Sequence, residues 1–169
     1  MVREHSQGIE RYEKRAFLLQ GALAGMLGTL PMTIVMLILH RLLPNWQKYA
    51  LPPEDITDDL AKRSDLRRRI NKEQLLAVTL VSHFGYGSAM GILYGLLTRM
   101  LSLPPVARGM LFGLVVWVGS YLGLLPALGI SAWAGKEPLR RNLLMIVAHL
   151  VWGSSTAIVA DVLEHQSAR

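Results

Sequence analysis

Two histidines stand in apolar surroundings with matching neighbours. The stretch Ser82-His83-Phe84-Gly85-Tyr86-Gly87-Ser88-Ala89-Met90-Gly91-Ile92 aligns with Ala148-His149-Leu150-Val151-Trp152-Gly153-Ser154-Ser155-Thr156-Ala157-Ile158. His, Gly, Ser and Ile coincide, and an aromatic precedes the glycine in both. A buried imidazole has several uses. It can hydrogen-bond a neighbouring helix, with Thr29, Ser120 or Tyr121 as partners. It can belong to a proton relay or a small-ligand site, with Tyr86 and Trp152 beside it. Or the pair can ligate haem b, nearby glycines making room for the porphyrin. Two histidines alone are too few ligands for a protein-held metal ion. His40 reads as a headgroup contact.

The elements that carry these residues are four apolar runs, at about 17–43, 75–98, 109–130 and 142–163. Each has the roughly 20 residues a helix needs to cross a bilayer. The chain has 169 residues, 51% of them hydrophobic, and a mean hydropathy of +0.32. It reads as an all-α membrane protein of one domain, a four-transmembrane-helix bundle. His83 and His149 each lie roughly 10–13 Å into spans that start on the same side, given the rise per helical residue. They therefore share a depth on parallel helices, where polar groups face the bundle interior.

Composition narrows the chemistry. There is no cysteine, so disulfides and thiol catalysis are excluded. No carboxylate lies mid-span, and Asp161 sits near the end of the last run. The usual coupling group of proton-driven pumps is thus missing. No nucleophile-elbow, phosphate-loop or zinc-protease motif occurs. The expectation is a non-enzymatic protein with no obligatory cofactor. The net charge of +6 comes from basic residues flanking apolar runs, which fits anionic lipid headgroups rather than nucleic acid. Glu4, Glu10 and Glu13, with the long run from Phe17, argue for a retained first span rather than a cleaved signal.

Residues 1–16 read as a short helix leading into the membrane. Pro31 should kink the first span, with Thr29 or Thr33 satisfying a freed carbonyl. The 45–74 segment holds six acidic and seven basic residues. Pro52-Pro53 followed by Glu54 and Asp55 starts a helix there. The pairs Ile56/Leu60 and Leu66/Ile70 predict one or two amphipathic helices on the membrane surface. Trp46 and Tyr49 fit an interfacial aromatic belt, and Lys136, Arg140 and Arg141 a loop. With Arg41, Lys136, Arg140 and Arg141, the basic residues of 45–74 outnumber Arg3, Arg11, Lys14, Arg15, Arg99, Arg108 and Arg169 on the opposite side. That count places 45–74 in the cytoplasm, although the cluster before the first span pulls the other way.

Glycines recur every fourth residue. Gly87, Gly91 and Gly95 form one stripe, and Gly21-x3-Gly25, Gly109-x3-Gly113, Gly119-x3-Gly123 and Gly153-x3-Ala157 repeat the theme. Such faces admit a second backbone, a flat ligand or another subunit. Matching His and Gly motifs in alternate spans suggest a duplicated helical hairpin with 45–74 inserted into the first copy.

The chain resembles the YagU-like group of small bacterial inner-membrane proteins of unknown function. The likeness rests on Gly21-x3-Gly25-x2-Gly28-Thr29, Leu51-Pro52-Pro53, His83-x-Gly85-Tyr86-Gly87 and Gly91-x2-Tyr94-Gly95. Trp117-x2-Ser120-Tyr121-x4-Pro126 and His149-x2-Trp152-Gly153 complete it. It implies a multi-pass protein of the bacterial inner (plasma) membrane and assigns no catalytic residue. Three functions follow as expectations. One is transport or sensing of a small solute at a polar site around His83, Tyr86, His149 and Trp152. The second is a structural or accessory subunit, a homo-oligomer or part of a larger complex, packing through its glycine faces. The third is a bis-histidine b-type haem protein.

Overall fold

The apolar runs fold as helices, and most helices outrun them. The computed structural model describes the backbone of residues 2–98, 101–130 and 133–167, and side chains of 16–97, 101–130 and 133–166. Arg99 and Arg169, and the side chains of Arg3, Arg11, Lys14 and Arg15, lie outside the described residues. Five helices carry the fold: α1 (Val2–Arg41), α2 (Pro52–Arg63), α3 (Lys72–Thr98), α4 (Pro105–Val118) and α5 (Leu139–Ser167). Among the described residues there is no strand. The lead-in segment is not a separate helix, because α1 runs through it unbroken from Val2. α4 continues as a π-helical segment, Gly119–Leu124, and a last turn, Leu125–Ala127. Four stretches are long and apolar enough to cross a membrane: Ala16–Arg41, Lys72–Leu97, Pro105–Ala127 and Leu139–Gln166. Their outward faces are strongly apolar, as with Leu19, Ile34, Val81 and Leu97. In water such faces would be a liability, whereas in a bilayer they meet acyl chains.

Packing follows the glycines. α3 packs on α1, α1 on α5, and α5 on α4, while α3 and α4 meet along only a short stretch. A methyl group added at Gly25 would sit 2.7 Å from the Gly91 Cα, and one at Gly21 would sit 2.9 Å from the Gly91 carbonyl. The same holds at the other hairpin, where a methyl on Gly109 would fall 2.7 Å from the Ala157 Cβ. One on Gly153 would lie 2.8 Å from the Gly109 carbonyl carbon. Side chains larger than hydrogen would push these antiparallel backbones apart. Gly95 faces the Phe17 ring instead of a backbone. Gly119 and Gly123 differ from the expectation, since a Cβ at either would meet nothing within 4 Å. They belong to the π segment and are exposed.

Local chemistry fixes the ends. α2 starts on Pro52 and Pro53, with Glu54 and Asp55 in its first turn and Lys62 and Arg63 in its last, matching the helix dipole. Asn71 and Gln74 cap α3 reciprocally, each side chain accepting from the other's backbone N–H at 2.8 and 2.9 Å. Pro31 lies inside α1 and removes the helical partner of the Leu27 carbonyl. Thr29 and Thr33 do not serve that carbonyl. Their hydroxyls donate to Gly25 O (2.8 Å) and Thr29 O (2.7 Å).

Candidate functional site

Because α3 and α4 diverge, a cavity of about 280 Å³ lies between them, backed by α1 and α5. His83, Tyr86, Ser120, Tyr121, His149 and Trp152 all line it, and so does Thr29. The rest of the wall is mainly apolar, from Met32, Met90, Val116, Ile130 and Met145. Among the described residues, no Asp, Glu, Lys or Arg lines it.

The polar groups differ in what they have left to offer. Thr29 is 1% exposed, and its hydroxyl is spent on Gly25 O. The Trp152 indole N–H donates to the same carbonyl at 3.2 Å, which ties α5 to α1. His83 Nε2 lies 3.3 Å from the Thr33 hydroxyl. That hydroxyl's single hydrogen already goes to Thr29 O, so His83 Nε2–H is the donor and its Nδ1 is left as acceptor. His149 Nδ1 is 2.7 Å from the Met145 carbonyl. A carbonyl only accepts, so Nδ1 carries the hydrogen and Nε2 presents a lone pair. The partners expected for the histidines, Thr29, Ser120 and Tyr121, are therefore replaced by Thr33 and Met145. Tyr121 instead meets His149 edge to face, with ring centroids 5.7 Å apart. Among the described residues its hydroxyl has no hydrogen-bond partner.

One polar bond spans the gap. Tyr86 OH and Ser120 Oγ are 2.8 Å apart, joining α3 to the π segment. Exposed Ser82, Tyr86 and Leu124 frame the opening beside it. π-helical turns inside α-helices frequently accompany functional sites, because the extra residue re-aims side chains. Here the segment brings Ser120 to Tyr86 and leaves Tyr121 buried at 6% exposure against His149.

α2 roofs the cavity. Pro53, Ile56, Thr57 and Leu60 face into it, so the apolar face expected to lie on lipid covers this space instead. Both ends of the roof are tied down. Arg63 donates to Leu128 O (2.6 Å) and Gly129 O (2.8 Å), the free carbonyls at the end of the α4 span. Gly129 makes this turn with φ +65°, a conformation side chains resist. At the other end, Arg141 is 2% exposed and pairs with Glu137 at 2.6 Å. It also donates to Gln47 O, Tyr49 O and Ala50 O, and stacks 3.7 Å over the Tyr49 ring. Tyr49 OH donates to Glu137 at 2.6 Å. Partial burial and this bond to a carboxylate push the Tyr49 hydroxyl up to about 12. Burial likewise raises Asp55, whereas the Lys62 ammonium beside Asp58 holds that carboxyl below its usual range. Read locally, Tyr49 is an aromatic-belt residue and Arg141 a loop cation; in the fold the exposed Tyr49 ring closes over the buried Arg141–Glu137 pair as a clasp.

Among the described residues, no three His, Cys, Asp or Glu side chains converge as a metal site would require. No curated protein matches the chain, and no solved structure matches it. A family model described as a protein of unknown function, DUF1440, matches residues 33–158, which take in the roof, most of the cavity walls and both histidines. The chain belongs to the DUF1440 family of proteins of unknown function.

Proposed function

We propose that this chain is an integral protein of the bacterial inner membrane, of the YagU-like kind, that binds a small molecule beneath α2 for transport or sensing, without catalysing a reaction. The observation that carries this reading is the convergence of all seven side chains expected from the sequence, carried by four different helical segments, on one mainly apolar cavity. Small-molecule sites have this character, an apolar volume with a few placed polar groups. In this reading the four long helices form a bundle of two duplicated hairpins, each sealed by its glycine stripe, and the 45–74 segment faces the cytoplasm. Arg67, Arg68, Arg69 and Lys72 then meet anionic headgroups.

The glycine faces speak for this over an accessory subunit. Gly21, Gly25, Gly87, Gly91, Gly95 and Gly153 are all buried within the chain itself, so those stripes are already occupied. Haem ligation by His83 and His149 is separated from the present reading by the Soret band it requires.

Photolabelling tests the proposal. Protein in lipid nanodiscs is exposed to a decane carrying a diazirine, and labelled residues are mapped by mass spectrometry. Labels on Met90 and Met145 are expected beside those on the outer face at Leu19 and Leu37. Ser82→Trp, at the exposed rim, should abolish the inner labels and spare the outer ones. Labelling confined to the outer face in the parent protein would sink the reading.

A further inference from the structure

The cavity has an unused pair of hydrogen-bonding groups, and part of its exposed rim lies between α3 and the π segment. Resting on the proposal that the cavity is a ligand site, we infer that its ligand is a neutral amphiphile, taken from the bilayer, with a hydroxyl headgroup seated between Tyr121 and His149.

Three observations lead there. The first is the character of the walls. No ionised side chain of either sign among the described residues faces the space, so a charged headgroup would be desolvated without a counter-ion, which is strongly unfavourable. The second is the unmet hydrogen bonding. His149, 5% exposed, offers an Nε2 lone pair, and Tyr121, 6% exposed, offers an O–H that no described group accepts. Both line the cavity, with their rings in contact. A hydroxyl donates to one and accepts from the other, satisfying both at once, as a hydrocarbon cannot. Leaving such groups unpaired in an apolar space is unfavourable, so the headgroup that answers them is preferred.

The third observation is access. The roof is latched at one end by Arg63 on the last carbonyls of the α4 span and at the other by Arg141 on residues 47–50. The side between α3 and the π segment is closed by the single Tyr86–Ser120 bond. That opening lies within the apolar span, where acyl chains lie in a bilayer, so the ligand arrives dissolved in lipid. Met90 and Met145 line the path of its tail. Their unbranched thioethers adapt to chains of different shape.

The test uses the same nanodiscs, with inner labelling by the decane diazirine protected by competing 1-decanol, decane or decyl sulfate. 1-Decanol should protect at about tenfold lower concentration than decane, the worth of one well-made buried hydrogen-bond set, and decyl sulfate should not protect. Tyr121→Phe removes only a hydroxyl without a partner among the described residues, so the fold is kept. It should erase the advantage of 1-decanol while leaving protection by decane unchanged. His149→Phe, which keeps an aromatic ring against Tyr121, should do the same. Equal protection by 1-decanol and decane, unaltered by Tyr121→Phe, would overturn the headgroup inference and leave the cavity reading standing. Absence of inner labelling would overturn both.

Discussion

The side chains that hold this fold at its membrane edge are ionic, and their cost is concentrated in one place. Arg141 and Glu137 are both at or below 9% exposure, and removing one partner from a buried pair typically costs about 3–5 kcal/mol. Arg141→Met is therefore expected to lower the thermal midpoint in detergent sharply. Pairing it with Glu137→Leu should recover much of the loss, since no buried charge is then left alone. Arg141→Lys should also destabilise, because one ammonium cannot replace the guanidinium's fork to a carboxylate and three carbonyls. Tyr49 gives this clasp a pH dependence. Its folded value, about 12, lies above the ordinary 10, so the fold favours the protonated phenol. Its contribution is complete below pH 10 and is lost as pH rises through about 12. The difference in melting temperature between parent and Tyr49→Phe should shrink across that window. A difference constant from pH 9 to 12 would rule this out. None of this was legible locally. Tyr49 and Glu137 are 88 positions apart, and position alone made Tyr49 an interfacial aromatic and gave Glu137 no role.

At the scale of elements, length and hydropathy reveal the four spans well, because lipid leaves the backbone few alternatives to a helix. The proline pair and acids likewise mark where α2 begins. Which glycines pack was only partly legible. Gly25, Gly91, Gly109 and Gly153 sit at close backbone approaches, whereas Gly119 and Gly123 have the same spacing and touch nothing. Gly119 and Gly123 lie six and ten residues beyond Gly113, off the face that Gly109 and Gly113 present, so equal spacing did not mean a shared face. This contrast makes a prediction. Gly25→Ala should destabilise by about 1–3 kcal/mol through overpacking. Gly85→Ala, in the same class of helix but with nothing within 4 Å, should be neutral or stabilising by up to about 1 kcal/mol. Chemical or thermal unfolding in a mild detergent reads both, and equal effects would show that the glycine seams carry no packing constraint.

For the whole molecule, the order of contacts matters more than the number of helices. α1 and α5 form the centre, and α3 and α4 are outer leaves that scarcely touch. Matching motifs indicated that His83 and His149 share a depth, but not that the space between them would be roofed by α2 or bridged by Tyr86 and Ser120. Those depend on how the loops fold back, which no helical period encodes. The opening between the leaves has a consequence for measurement. A site fed from the bilayer responds to the ligand's mole fraction in lipid, not to its concentration in water. Adding empty lipid at fixed ligand and protein should therefore lower occupancy in proportion, as dilution does for a soluble receptor. On the proposed reading, affinities for this protein will be comparable between laboratories only when expressed per lipid molecule.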